Sequence, residues 1–299
     1  MRRFAVALVG LLVVVAASRI TRAEPGLAPV LNDDVFVVAR LDLDRIDFKA
    51  LVPWLDAKSA LLNYTRQQAT DARIQYTKAA NDLDGVVNAV RRLGVQRAYL
   101  ITTLETMDVQ MPFVVAFVCD DRTSTQLING FALIGLKGAR VGEAVTVVGQ
   151  AEAVASFGTF KPAPRRDVAE ALRLSRAEPA ALLWVPAKPA REMLEQRIPE
   201  QHPVIESEIA LVTRGVDRAI LTLSAPPTFK AQLRVDAADA NSADGIETWL
   251  NRIADDVRQQ DATKGQIAKK LLPQRKGLMF GQSLDDKGLD ELLRLWAKK

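Results

Sequence analysis

The sequence predicts an α+β protein: a tandem repeat of ferredoxin-like units, each βαββαβ plus a helix, with antiparallel sheets. Three observations predict it. β-Branched apolar runs alternate with stretches of helical spacing, in the order β-α-β-β-α-β and then a helix. That order occurs over residues 31–176 and again over 178–299. Three short stretches also match between the halves, in the same order along the chain. Gly94-Val-Gln-Arg-Ala-Tyr-Leu100 pairs with Gly215-Val-Asp-Arg-Ala-Ile-Leu221, Val147-Val-Gly-Gln150 with Met279-Phe-Gly-Gln282, and Asp167–Leu174 with Leu289–Trp296. Two such units make either two sheets side by side or one merged sheet.

Taken in order, Val35 to Leu41 is a buried strand, and helical spacing begins at Phe48. Leu55, Leu62, Ala69, Tyr76, Leu83 and Val90 then recur every seventh residue, the narrow stripe of one long helix or a helix pair. Asp82, Asp84 and Gly85 are expected to break it. Its middle, Arg66 to Arg73, carries only alanines on the stripe and is expected to stand partly free of the core. Val95 to Leu104 and Phe113 to Val118 read as a hairpin, Thr123 to Leu136 as a helix, and Val145 to Val148 as a short strand. Lys161 to Arg166 is a linker, and Asp167 opens a helix ending at Leu174. The second half runs Ala181–Val185 strand, Pro189–Ile209 broken helix, and strands Val216–Leu223 and Phe229–Val235. A helix over Ser242–Gln260, a strand over Gly277–Gly281 and a helix over Leu289–Trp296 follow.

The first 23 residues have the three parts of a secretory signal peptide: basic Met1-Arg2-Arg3, apolar Phe4 to Ala17, then Ser-Arg-Ile-Thr-Arg-Ala. Cleavage is expected after Ala17 or Ala23. The product is exported to the periplasm or outside the cell, with an uncleaved anchor as the alternative. The apolar run is shorter than the roughly 20 residues of a spanning helix, so no stable membrane insertion is expected after cleavage. The only cysteine, Cys119, lies far from the leader, which excludes a lipid-modified start.

The 40 basic and 36 acidic residues give the chain a net charge of +4. Arg2, Arg3, Arg19 and Arg22 leave with the leader, which holds no acid, so the remainder is neutral. A nucleic-acid partner is therefore not expected, since phosphate binding needs clustered cations. Arg165-Arg166 and Lys269-Lys270 read as solvated surface charge.

No residue emerges as catalytic, cofactor-binding or metal-ligating. Asp33, Asp34, Asp42, Asp44 and Asp47 flank the first strand, but lack the glycine and distal glutamate of a calcium loop. Arg40 and Arg45 stand ready to neutralise them, and caps and solvated turns account for the group. The same holds for Asn81–Gly85 and Ser283–Asp286. Gly135, Gly138 and Gly142 flank a helix end and a strand start, the reverse of a phosphate-binding loop. Cys119 reads as a small core residue, and a Cys119/His202 nucleophile pair would need a contact that the sequence does not show. Arg97 and Arg218 hold equivalent places in the repeat and either pair with acids across the sheet or face solvent. Asn63-Tyr64-Thr65 fits a glycosylation acceptor but reads as helix surface. Trp54, Trp184, Trp249 and Trp296 read as core or inter-repeat contacts, with one available as an interface anchor.

The leader, the opening DDVFVVARLDLDRID, the strand around GVQRAYL and the segment VTVVGQAEAVASF resemble uncharacterised exported bacterial proteins built from repeated α+β units. That resemblance implies no activity and no catalytic residue. The expectation is a non-enzymatic cell-envelope module, either structural or meeting a protein partner through the helix near Arg66 to Arg73. A periplasmic protein binding a small ligand or lipid is the alternative.

Overall fold

A computed structural model describes residues 25–62, 64–106, 113–158, 163, 165–201, 206–224 and 226–297. Its first half runs β1 (Val35–Asp42), α1 (Phe48–Ser59), α2 (Arg66–Arg92), β2 (Arg97–Thr103), β3 (Val114–Val118), α3 (Asp121–Ala132), β4 (Lys137–Val141), β5 (Val145–Gly149), α4 (Ala151–Gly158) and α5 (Arg166–Leu174). The second half runs β6 (Ala180–Trp184), α6 (Lys188–Gln201), α7 (Glu206–Gly215), β7 (Val216–Ser224), β8 (Lys230–Ala237), α8 (Ala240–Gln260), α9 (Ala262–Leu271), β9 (Gln274–Lys276), β10 (Met279–Asp285) and α10 (Asp286–Ala297). The leader, Asn63 and His202 lie outside the described residues.

All ten strands join one antiparallel sheet in the order β4-β5-β3-β2-β1-β6-β7-β8-β10-β9. Counted outward from the central β1–β6 pair, the strands of each half follow the same order, first, second, third, fifth, fourth. The pairing differs from a ferredoxin-like unit, where one crossover helix sets the first and second strands parallel, with another strand between them. Here β1 pairs antiparallel with β2, Asp42 opposite Arg97 and Val38 opposite Ile101. The cause is the helix pair between them. α1 leads away from the end of β1 and α2 leads back: Arg91, at the end of α2, donates to the carbonyls of Leu43 and Ile46, just before α1. A chain returned to the end it left runs back antiparallel. Arg191 does the same in the second half, donating to the carbonyls of Thr213 and Val216 at the end of α7.

The seven-residue stripe thus belongs to two helices, and the break falls at residues 60–65 rather than at Asp82–Gly85. Thr65 caps α2 reciprocally with Gln68, and the helix continues unbroken to Arg92. Residues 133–136, read from the sequence as the end of α3, instead turn at Gly135 (φ +83°) and lead into β4, a strand not expected there, which pairs with β5. α4 and α9 were likewise not expected from the sequence.

Side chains alternate across the sheet. Tyr99, Ile101, Val114, Ala116, Val145, Val147 and Leu183 face a core closed by α4, α5 and residues 25–31. Ala98, Phe117 and Val148 face the opposite core, under α1, α2 and α3. Phe280 and Val216 pack beneath α8 on that same side. Over the second half the other face is polar: Lys230, Gln232, Arg234 and Asp236 line β8, all half-buried. A Cβ added at Gly281 would meet nothing within 4 Å there, whereas at Gly149, its counterpart in strand order, it would meet Val114 at 3.2 Å.

Buried arginines hold α5 at both ends. Arg165 is 7 % exposed, contrary to a solvated reading of Arg165-Arg166. Its guanidinium donates to the carbonyls of Asn32 (2.8 Å), Val35 (2.7 Å) and Val185, and to both oxygens of Asp167. Burial works against ionised Asp167, but these contacts outweigh it and hold the carboxyl below its ordinary value. Past the other end of α5, Arg40 donates to the carbonyls of Ser175 (3.0 Å) and Glu178. Each guanidinium supplies several donors in one plane, which suits it to carbonyls converging from separate segments.

Candidate functional site

α2 has 27 residues, about 40 Å of helix, against 12 in α1. A helix hairpin with such unequal arms must overhang, and it does. Of residues 66–75, eight are exposed, and only Ala69 and Ala72 are partly covered. The first buried residue is Tyr76, where α1 begins to support α2. Tyr76 donates its hydroxyl to Asp56 of α1, and Arg73 Nε lies 3.3 Å from the other Asp56 oxygen. Burial first, then the bond to Asp56, push the Tyr76 phenol up to about 12, so it remains a donor throughout the physiological range.

Beyond that support, a shallow open depression runs along the outer face of α2, lined by Arg73, Ile74, Thr77, Lys78, Asn81 and Asp82. Ile74 is 62 % exposed at its centre. One aliphatic side chain ringed by cations, amides and an acid suits contact with another macromolecule. It provides neither enclosure nor a group set for bond-breaking chemistry. Arg66 to Arg73 therefore stands off the core as its composition suggests, and the outer face behind it extends to Asp82.

The acids around β1 divide by burial. Asp47 caps α1 through the amides of Lys49 (2.9 Å) and Ala50 (3.2 Å), Asp34 accepts from Asn32, and Asp33 and Asp44 are exposed. Asp42 is the exception. It is buried, with Arg97 at 3.1 Å, Arg45 at 3.3 Å and Arg40 at 3.5 Å. Burial pushes its carboxyl up to about 6, against the pull of Arg40 and Arg45. Three cations on one carboxylate form a structural ion cluster, and among the described residues no group of three His, Cys, Asp or Glu is placed to hold a metal.

Arg97 and Arg218 do pair across the sheet, each with the acid directly opposite. Arg97 meets Asp42 on β1, and Arg218 meets Asp236 on β8 at 2.7 Å, with Glu170 of α5 at 3.3 Å. Cys119 is half-buried with Sγ 3.3 Å from Thr146 Oγ1, which donates to Ser124. Burial pushes its thiol up, away from the thiolate a nucleophile needs.

Among the tryptophans, Trp184 lies beneath Arg191, Trp249 is half-buried, and Trp296 is 46 % exposed. Trp54 joins the halves. Its indole donates to Asp286 of α10 (2.8 Å) and its ring packs on Phe229. Lys58 Nζ sits between Asp286 (2.7 Å) and Asp290 (2.5 Å). Residue spacing gave no sign of this clamp, because its partners are more than 170 positions apart.

No helix among the described residues is long and apolar enough to cross a membrane. No protein-family model matches the chain, and no curated protein matches it. A solved structure, crystal form I of TP0453, is similar over 92 % of this chain and 98 % of its own, with 9 % identity and a TM-score of 0.38.

Proposed function

We propose that this chain is an exported, non-enzymatic module of the bacterial cell envelope, formed of two related halves (31–176 and 178–299), that binds a protein partner through the free end of α2. The observation that carries the reading is the overhang: capped at Thr65, braced at Tyr76, and exposed between. An ordered helix end that buries only two alanines in part offers binding surface at little entropic cost. Export rests on the three-part leader, and the non-enzymatic reading on a sequence in which no catalytic motif is found.

A photo-crosslinking amino acid at Ile74, in the full chain expressed in its own cell envelope, tests the reading. One partner should be captured there, and the mature mass should place cleavage after Ala17 or Ala23. Introducing Ile74→Asp in the same chain, with the crosslinker moved to Lys78, should abolish capture without lowering the melting temperature. Undiminished capture by that variant, or none from either position, would overturn it.

A further inference from the structure

A second exposed feature lies where α3 ends and edge strand β4 begins. Leu133 is 89 % exposed and Ile134 is 65 % exposed, side by side before the turn at Gly135. Their neighbours Phe131 and Leu136 pack inward, so the turn itself is anchored. From Arg122 to Gly142 the chain holds no acid and three cations, Arg122, Lys137 and Arg140. Arg140 is engaged with Asp121, while Lys137, three residues beyond Ile134, is exposed.

We infer that the Leu133–Ile134 turn is a contact point for the surface of an anionic lipid bilayer, with Lys137 at the headgroups. Area decides against a protein partner at this turn. Two side chains bordered by Asn129, Gly130, Ala132 and Gly135 offer a small part of the roughly 1,200 Å² that a specific protein interface buries. A bilayer needs no matching surface. It accepts single aliphatic side chains and rewards each by the area removed from water. The charge is also right, since a cation beside an inserted apolar turn is drawn to acidic lipid. Such a contact is peripheral and reversible, as one short apolar anchor gives only weak binding. It is separate from the α2 overhang, and either can fail without the other.

The test uses the full chain, whose apolar leader also has affinity for vesicles, so the readout is local to the turn. A Leu133→Trp variant is mixed with vesicles of phosphatidylcholine and phosphatidylglycerol, and its emission is taken as the difference from the parent chain. A blue shift, and quenching by lipids brominated on their acyl chains, are expected; both weaken with phosphatidylcholine alone. Adding Ile134→Ser to the Leu133→Trp variant should raise the lipid needed for half of the blue shift by about fivefold or more, at an unchanged melting temperature because neither side chain is buried. An emission at 133 that ignores vesicles, or one that the added Ile134→Ser leaves unchanged, would overturn the inference.

Discussion

Arg165 and Arg166 are adjacent and chemically identical, yet replacing them should have opposite consequences. Arg165→Ala removes the donors serving the carbonyls of Asn32, Val35 and Val185 and the bidentate partner of Asp167. A buried acceptor left without its donor costs about 1–3 kcal/mol. The three carbonyls share one guanidinium and relax together, so their costs do not simply add. A total of about 3–5 kcal/mol follows, the usual effect of breaking a buried charged network from one side. Arg166 is exposed, and its alanine variant should stay within about 0.5 kcal/mol of the parent. Arg165→Lys should fall between, since a point charge cannot reach three carbonyls from one plane. Urea unfolding measures all three, read from the midpoint at constant slope. A loss below about 1 kcal/mol for Arg165→Ala would refute the claim that this residue ties β1, β6 and α5 together.

The clamp between halves predicts that Lys58→Met costs about 1–2 kcal/mol, discounted because Asp286 and Asp290 are a third exposed, and speeds amide exchange in α10 first. Asp42, raised from 3.8 to about 6 on folding, binds its proton more tightly in the folded state. Its contribution is therefore complete below pH 3.8 and lost as pH rises through 6, a fall of about 3 kcal/mol that Asp42→Asn should erase in melting curves across that window. Asp167, Asp236 and Asp286 are shifted the other way, so their contribution is present above the ordinary carboxylate range and lost as pH falls through their lowered values. Two helical glycines should respond with opposite sign in thermal melts. Gly85→Ala, with open space around its Cβ in the middle of α2, gains about 0.5–1 kcal/mol; Gly265→Ala, whose Cβ would lie 2.5 Å from Arg258 Cα, loses about 1–3 kcal/mol as α8 and α9 are forced apart.

The sequence is most informative where burial writes a local period. Val35–Leu41, Val145–Val148 and Ala181–Val185 are largely apolar runs because these strands are covered on both faces, and each is found within a residue or two of its expected place. β4 and β9 escape notice because edge strands need no apolar alternation: Lys137-Gly-Ala-Arg-Val141 and Gln274-Arg-Lys276 carry the charge that keeps an edge from pairing further. The α2 overhang is legible because alanines on a stripe bury little. The buried roles of Arg165 and Arg191 are not, since the carbonyls they serve come from several separate segments. Nor does composition tell parallel from antiparallel neighbours. That depends on whether one helix or two separates the strands, and the short Asn63-Tyr64-Thr65 stretch between α1 and α2 is the only local trace of the second.

Comparing the halves also bears on why α2 is the element set apart. In each half a helix pair leads away from the first strand and returns to the second, and an arginine fastens the return. In the second half 10 residues of the returning helix, α7, are described. In the first, α2 takes 27. The sheet asks the same of both, because Arg97 and Arg218 hold equivalent places on β2 and β7, each opposite an acid. The additional 17 residues of α2 are about 25 Å of helix that closing the fold does not require. Part of that length rests on α1, up to Tyr76, and the rest is the exposed end. Under the proposed function, a helix kept longer than its neighbour in the other half, capped at its tip and braced where it leaves the body, keeps that length for the partner it meets outside.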